Sequence, residues 1–167
     1  EVVIAMNLSR KTIYIVSGVT IAGLILAYLL IFGFGNKGTF AGEIVISPME
    51  YDLGNVPYGG GIVRRESTLE NRGDQELKIN SIKTSCGCTE AQLIRDGNSS
   101  KKFGMHPNTL TWSETIPPGE KATLRIFYDP AAHGPEGTGP FRRAIWIESS
   151  DSDQEKVEVR IQGSVVR

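Results

Sequence analysis

Reactive side chains are scarce in this chain, which has only two cysteines and two histidines among its 167 residues. No Cys-x-x-Cys, haem-attachment or His-Glu-x-x-His pattern is present, so the usual signatures of structural zinc, dithiol oxidoreductases and zinc proteases are missing. A nucleophile with its base and orienting group, a phosphate-cradling glycine loop and a paired-carboxylate motif are also missing. His106 and His133 lie beside proline and glycine, a poor setting for acid–base work. The sequence therefore argues against an enzyme, and it implies neither a cofactor nor a small-molecule substrate. Charge of one sign is missing too: a formal net charge of −1 with 22% charged residues describes an ordinary domain surface, so nucleic acid is not an expected partner.

One long apolar run is present. From Thr12 to Phe34 no residue is charged, and at about 1.5 Å per helical residue the run spans a bilayer core of roughly 30 Å. It exceeds the 7–15 residues typical of a cleavable signal core. A retained single-pass anchor is expected, although Thr39-Phe40-Ala41 weakly resembles a cleavage site. Arg10 and Lys11 precede the run and Lys37 follows it, a bias that holds the N-terminus in the cytoplasm and puts the rest outside. In a bacterium this means the inner membrane, with a periplasmic or extracellular domain. Met6 makes a natural initiator after the first five residues. The expected organisation is a cytoplasmic tail over 1–11, a transmembrane helix over 12–34, a glycine-containing linker over 35–43 and a globular domain over 44–167.

Beyond the linker, short β-patterned runs alternate with turn signals. Val157, Val159 and Ile161 alternate with Glu158, Arg160 and Gln162, as a half-buried strand requires. Ala122, Leu124, Ile126 and Tyr128 repeat the pattern after a turn at Pro117–Glu120. Further strands are expected at Ile44–Ser47, Ile62–Glu70, Leu77–Thr84, Thr89–Ile94 and Phe141–Glu148, with Asn71–Asp74 as a hairpin turn. About seven strands in about 125 residues predict one all-β, immunoglobulin-like sandwich, since two cores of half that size would be marginal. Two long loops are expected, Asp96–Trp112 and Pro130–Pro140.

The cysteines lie in Ser85-Cys86-Gly87-Cys88-Thr89. On an extended strand, residues two apart have Cα atoms roughly 6.6 Å apart, near the upper limit for a disulfide, so a bond would need a kink that Gly87 permits. Three readings compete: buried free thiols, a redox-active Cys86–Cys88 disulfide, and a metal site. Two thiolates do not complete a zinc or copper site. His106 is the candidate third ligand, with Met105 and His133 as the other available donors.

Several separated blocks share an order: Tyr51–Val56, Leu69–Gly73, Leu77–Ile79, Ser85–Thr89, Pro118–Glu120, Tyr128–Pro130 and Ile161–Gly163. In this order they resemble a bacterial domain-of-unknown-function family with a Cys-Gly-Cys-Thr signature, over about residues 45 to 165. The resemblance implies an immunoglobulin-like sandwich of the Hydin type, and it implies no catalytic activity. The Asp96–Trp112 segment departs from the compact family pattern.

A sandwich on a membrane stalk suits protein binding. The leading expectation is a non-catalytic accessory subunit of a larger membrane complex, respiratory or photosynthetic complexes being plausible hosts, with lipid and integral membrane proteins as partners. Gly18 and Ala22 supply a small-xxx-small face for helix approach. Lys101, Phe103, His106 and Trp112 are candidate contact residues in the sandwich. The alternatives are a copper-handling or thiol-redox protein using Cys86 and Cys88, and a stand-alone cell-envelope binding module.

Overall fold

The computed structural model describes residues 20, 21, 23, 24, 27, 42–106 and 112–167. The chain divides into two units, Glu1–Gly38 and Thr39–Arg167. In the first, Thr20, Ile21, Gly23, Leu24 and Ala27 are helical. Among the described residues no helix is long and apolar enough to cross a membrane; most of the expected span over 12–34 lies outside them.

The second unit is a sandwich of two five-stranded sheets. Among the described residues ten strands form in chain order: β1 (Ile44–Ser47), β2 (Glu50–Pro57), β3 (Val63–Asn71), β4 (Leu77–Thr84), β5 (Thr89–Arg95), β6 (Asn98–Ser99), β7 (Glu114–Ile116), β8 (Lys121–Tyr128), β9 (Gly139–Ser149) and β10 (Lys156–Val166). One sheet runs β1-β3-β8-β5-β6 and the other β2-β10-β9-β4-β7. All pairings are antiparallel except that of β10 with β2, which is parallel.

Side-chain alternation decides which faces meet. Val157, Val159 and Ile161 on β10 are buried, as are Leu124 and Ile126 on β8 and Ile145 and Ile147 on β9. Fully burying each such aliphatic chain contributes roughly 1.5–3 kcal/mol, so the two inner faces supply most of the driving force. Polar partners lie outward, as where Glu158 accepts hydrogen bonds from Trp146 Nε1 at 2.9 Å and from Arg160 Nε.

Two local expectations are corrected. Asn71–Asp74 does not close a hairpin, because β3 and β4 belong to different sheets. The segment is a sheet crossing. Asn71 is fully buried there; its Nδ2 donates to the carbonyls of Gln75 and Ile116, both at 2.8 Å, and its Oδ1 accepts the Glu43 and Gly73 amides at 3.1 and 3.0 Å. The Asp96–Trp112 segment is not one open loop either. Asp96 (φ 51°) and Gly97 (φ 78°) both take left-handed backbone and turn β5 into β6. Phe103 then returns to exchange backbone hydrogen bonds with Ala91, at 2.7 and 2.9 Å. The expected count of seven strands rises to ten through β2, β6 and β7.

Candidate functional site

Two sheet crossings at one end of the sandwich bring the scarce reactive side chains together. The first crossing, between β4 and β5, is the Cys86-Gly87-Cys88 loop; the second, between β8 and β9, carries His133. Register brings them side by side, since Thr89 at the start of β5 pairs with Tyr128 at the end of β8. The Asp129 amide then donates to the Cys88 carbonyl at 2.9 Å and ties the two loops directly.

The cysteine loop is a tight turn rather than a continuous strand. Cys86 and Cys88 form a disulfide with Cα atoms 5.2 Å apart, inside the ordinary range. The fully extended spacing has been shortened as a bond requires, and the free-thiol reading does not describe this state. Beneath the loop, the buried Thr84 hydroxyl lies 3.1 Å from the Cys86 carbonyl and 2.9 Å from the Thr89 carbonyl. The Thr89 amide donates to the Cys86 carbonyl at 3.1 Å. Ser85 fixes the other flank: its amide donates to the Ala144 carbonyl, and its Oγ accepts the Ala144 amide at 2.9 Å.

Each sulfur has a distinct polar neighbour. His133 Nε2 lies 3.1 Å from Cys86 Sγ, and Arg143 Nε donates to Cys88 Sγ at 3.2 Å. Cys88 is buried, Cys86 half-buried and His133 exposed, so the group opens to solvent on one side. The Asp129 Oδ1 acceptor for the Ala131 amide, at 2.9 Å, shapes the His133 loop. Gly137 lies so near that a Cβ there would meet the His133 Cβ at 2.6 Å. The floor is aromatic: Tyr128 stacks on Phe141 with ring centroids 4.2 Å apart. Burial raises the Tyr128 phenol above its ordinary value, Arg143 opposes the rise and Asp129 adds to it.

Among the described residues, the donor atoms of Cys86, Cys88 and His133 all lie within 4.8 Å of one another, a grouping that could hold a metal ion once the disulfide is opened. The histidine that the fold brings beside the cysteines is His133. Arg143 carried no sequence signal. It becomes visible only through its inward position on β9, in register with Ile161.

The expected contact residues are placed as follows. Lys101 and His106 are exposed, and Lys101 Nζ stands 5.6 Å from the centre of the Phe103 ring. Phe103 is buried at 3% exposure, with its ring centroid 4.5 Å from that of the half-buried Trp112, so its ring belongs to the core rather than to a contact surface. Gly18 and Ala22 lie outside the described residues. Among the described residues, β2 has β10 as its one strand neighbour. Its alternation leaves Glu50, Asp52 and Gly54 exposed along that sheet edge.

These features define an immunoglobulin-like β-sandwich with a cysteine-bearing crossing loop. The chain belongs to the HYDIN/CFA65/VesB-like, Ig-like domain family, whose model matches residues 42–164. Among solved structures, a protein of unknown function from Porphyromonas gingivalis W83 is similar at 19% identity and a TM-score of 0.58, covering 78% of this chain and 50% of that one. This chain thus spans half the length of that relative, and the likeness shows the fold. The ASH/PapD-like domain 7 of human CEP192 is similar at 12% identity and a TM-score of 0.46, covering 76% of this chain and 87% of that one. The VesB protease of Vibrio cholerae is similar at 15% identity and a TM-score of 0.43, with 72% and 31% covered. No curated protein matches the chain.

Proposed function

We propose that the chain is a non-catalytic accessory subunit of a membrane assembly, anchored by residues 12–34 and docking to partner proteins through its extracytoplasmic sandwich. The observation that carries the reading is the uncharged run itself, within which the helical residues Ile21 and Leu24 are 57% and 71% exposed. Exposed aliphatic side chains on a helix call for hydrocarbon or neighbouring helices as their surroundings. The basic pair Arg10 and Lys11 supports an N-terminus held in the cytoplasm. The order of the sequence blocks around Cys86 and Cys88 supports the narrower assignment to the bacterial branch with the Cys-Gly-Cys-Thr signature.

Docking through the sandwich is supported by the β2 edge, where backbone groups facing away from β10 can take an added strand. Purification of the full chain in a gentle detergent tests the reading. Recovery at fixed stoichiometry with integral membrane proteins, and retention on membranes washed with alkaline carbonate, are the expected results. A monodisperse monomer, or a chain released by the wash, overturns it.

A further inference from the structure

We propose that Cys86, Cys88 and His133, once the disulfide is reduced, form a three-donor site for cuprous copper. The proposal is independent of membrane anchoring and rests on the geometry of the two crossing loops.

The donor set fits a soft monovalent ion. Metal–donor bonds of about 2.0–2.3 Å put three donors in one plane roughly 3.5–4 Å apart; the three donor atoms lie within 4.8 Å of one another with the sulfurs bonded, and reduction frees the two sulfurs to part to the ligand spacing. Thiolates select cuprous copper and zinc, and imidazole suits both. Coordination number separates the two ions. Structural zinc takes four protein ligands, whereas this group among the described residues has three. Charge argues the same way. Two thiolates and one cuprous ion leave a single negative charge, and the Arg143 guanidinium, 3.2 Å from Cys88 Sγ, offsets it. Arg143 is a positioning residue in this scheme; it has no lone pair to offer.

The sulfurs reach the binding state by a balanced exchange. An external dithiol gives two electrons and two protons to the Cys86–Cys88 bond, which breaks to two thiols as the reductant closes to its own disulfide. Cuprous copper then replaces the two thiol protons, and neutral His133 supplies Nε2. Only the dithiol state binds, so bound copper holds the pair reduced by mass action. Graded burial, from covered Cys88 to exposed His133, leaves one open side through which the ion can arrive or pass to a partner.

The full chain in detergent is reduced anaerobically with dithiothreitol, freed of reductant, and titrated with cuprous ion against the chelator bathocuproine disulfonate. One copper per chain is expected, with X-ray absorption showing two sulfur neighbours and one nitrogen. The oxidised protein and the variants Cys86→Ser and Cys88→Ser should hold none, and His133→Ala should bind at least about 10-fold more weakly. Circular dichroism checks each fold; should a cysteine variant fail to fold, His133→Ala decides, because its ring is exposed. Failure of the reduced wild type to retain copper against the chelator overturns the proposal. So does unchanged affinity in His133→Ala, or zinc held as tightly as copper.

Discussion

Asn71 and Asp151, from opposite ends of the sandwich sequence, hold consecutive backbone amides: Glu43 N donates to Asn71 Oδ1 at 3.1 Å and Ile44 N to Asp151 Oδ2 at 2.9 Å. Both side chains are buried. Asp151 Oδ1 also accepts the Asp153 and Gln154 amides, at 2.9 and 3.1 Å. The start of β1 is thus fastened by the β3–β4 sheet crossing and the β9–β10 hairpin loop, at the end of the sandwich away from the cysteines.

Removing such an acceptor leaves buried amides without partners, each costing about 1–3 kcal/mol. Asn71→Ala is expected to lower unfolding stability by about 3 kcal/mol or more, read as a fall in the urea midpoint. A loss below about 0.5 kcal/mol, the range of ordinary surface substitutions, would contradict this role.

Gly163 lies at the bulge where the β10–β2 register shifts. A Cβ there would meet the Gly54 carbonyl oxygen at 2.8 Å and the Phe141 ring at 3.0 Å. Backbone cannot swing aside as a flexible side chain can. Gly163→Ala should destabilise by about 1–3 kcal/mol, whereas Gly87→Ala, with open space around it, should cost much less. Thermal unfolding of the two variants side by side checks the contrast.

At the acid end, Glu158 is held below its usual range, first by the Arg160 hydrogen bond and then by that from Trp146. A depressed folded value means that the unfolded state binds the proton first as pH falls. The contribution is present above the ordinary glutamate range and is lost as pH drops through the depressed value. Glu158→Gln should therefore flatten the acid limb of stability against pH. An unchanged limb in urea titrations from pH 7 to pH 2 would refute it.

The alkaline end has the opposite sign. Burial raises the Tyr128 phenol above its ordinary value of 10.0, so above that pH the unfolded chain loses a proton that the folded chain keeps, and stability falls as pH rises. Tyr128→Phe retains the stack on Phe141 and removes the titration. Its stability should decline less steeply above pH 10 than that of the wild type, as followed by denaturant unfolding.

The strands legible in the sequence are those with buried alternation. Ile44–Ser47 and Leu77–Thr84 match in full, and β3, β5, β8, β9 and β10 differ from expectation only at their ends. What escaped was the periphery. In β2 only Val56 is buried, so no apolar period marks it, and β6 and β7 are too short to show one. Asp96-Gly97 was a readable hairpin signal inside a segment whose length suggested a loop. The site was half legible: the cysteines announce themselves, but their neighbours come from the β8–β9 crossing and from β9. Pairing of Thr89 with Tyr128 is a tertiary fact, and neither His133 nor Arg143 stands at a diagnostic spacing from the cysteines.

Residues 44–57 supply the outermost strand of both sheets, β1 on one and β2 on the other. A fragment beginning after Pro57 would therefore bare two unprotected borders at once, together with the apolar surface that Ile44, Ile46 and Val56 now cover. Such a fragment should self-associate rather than stay dispersed, so the domain can be severed from whatever precedes it only ahead of Glu43.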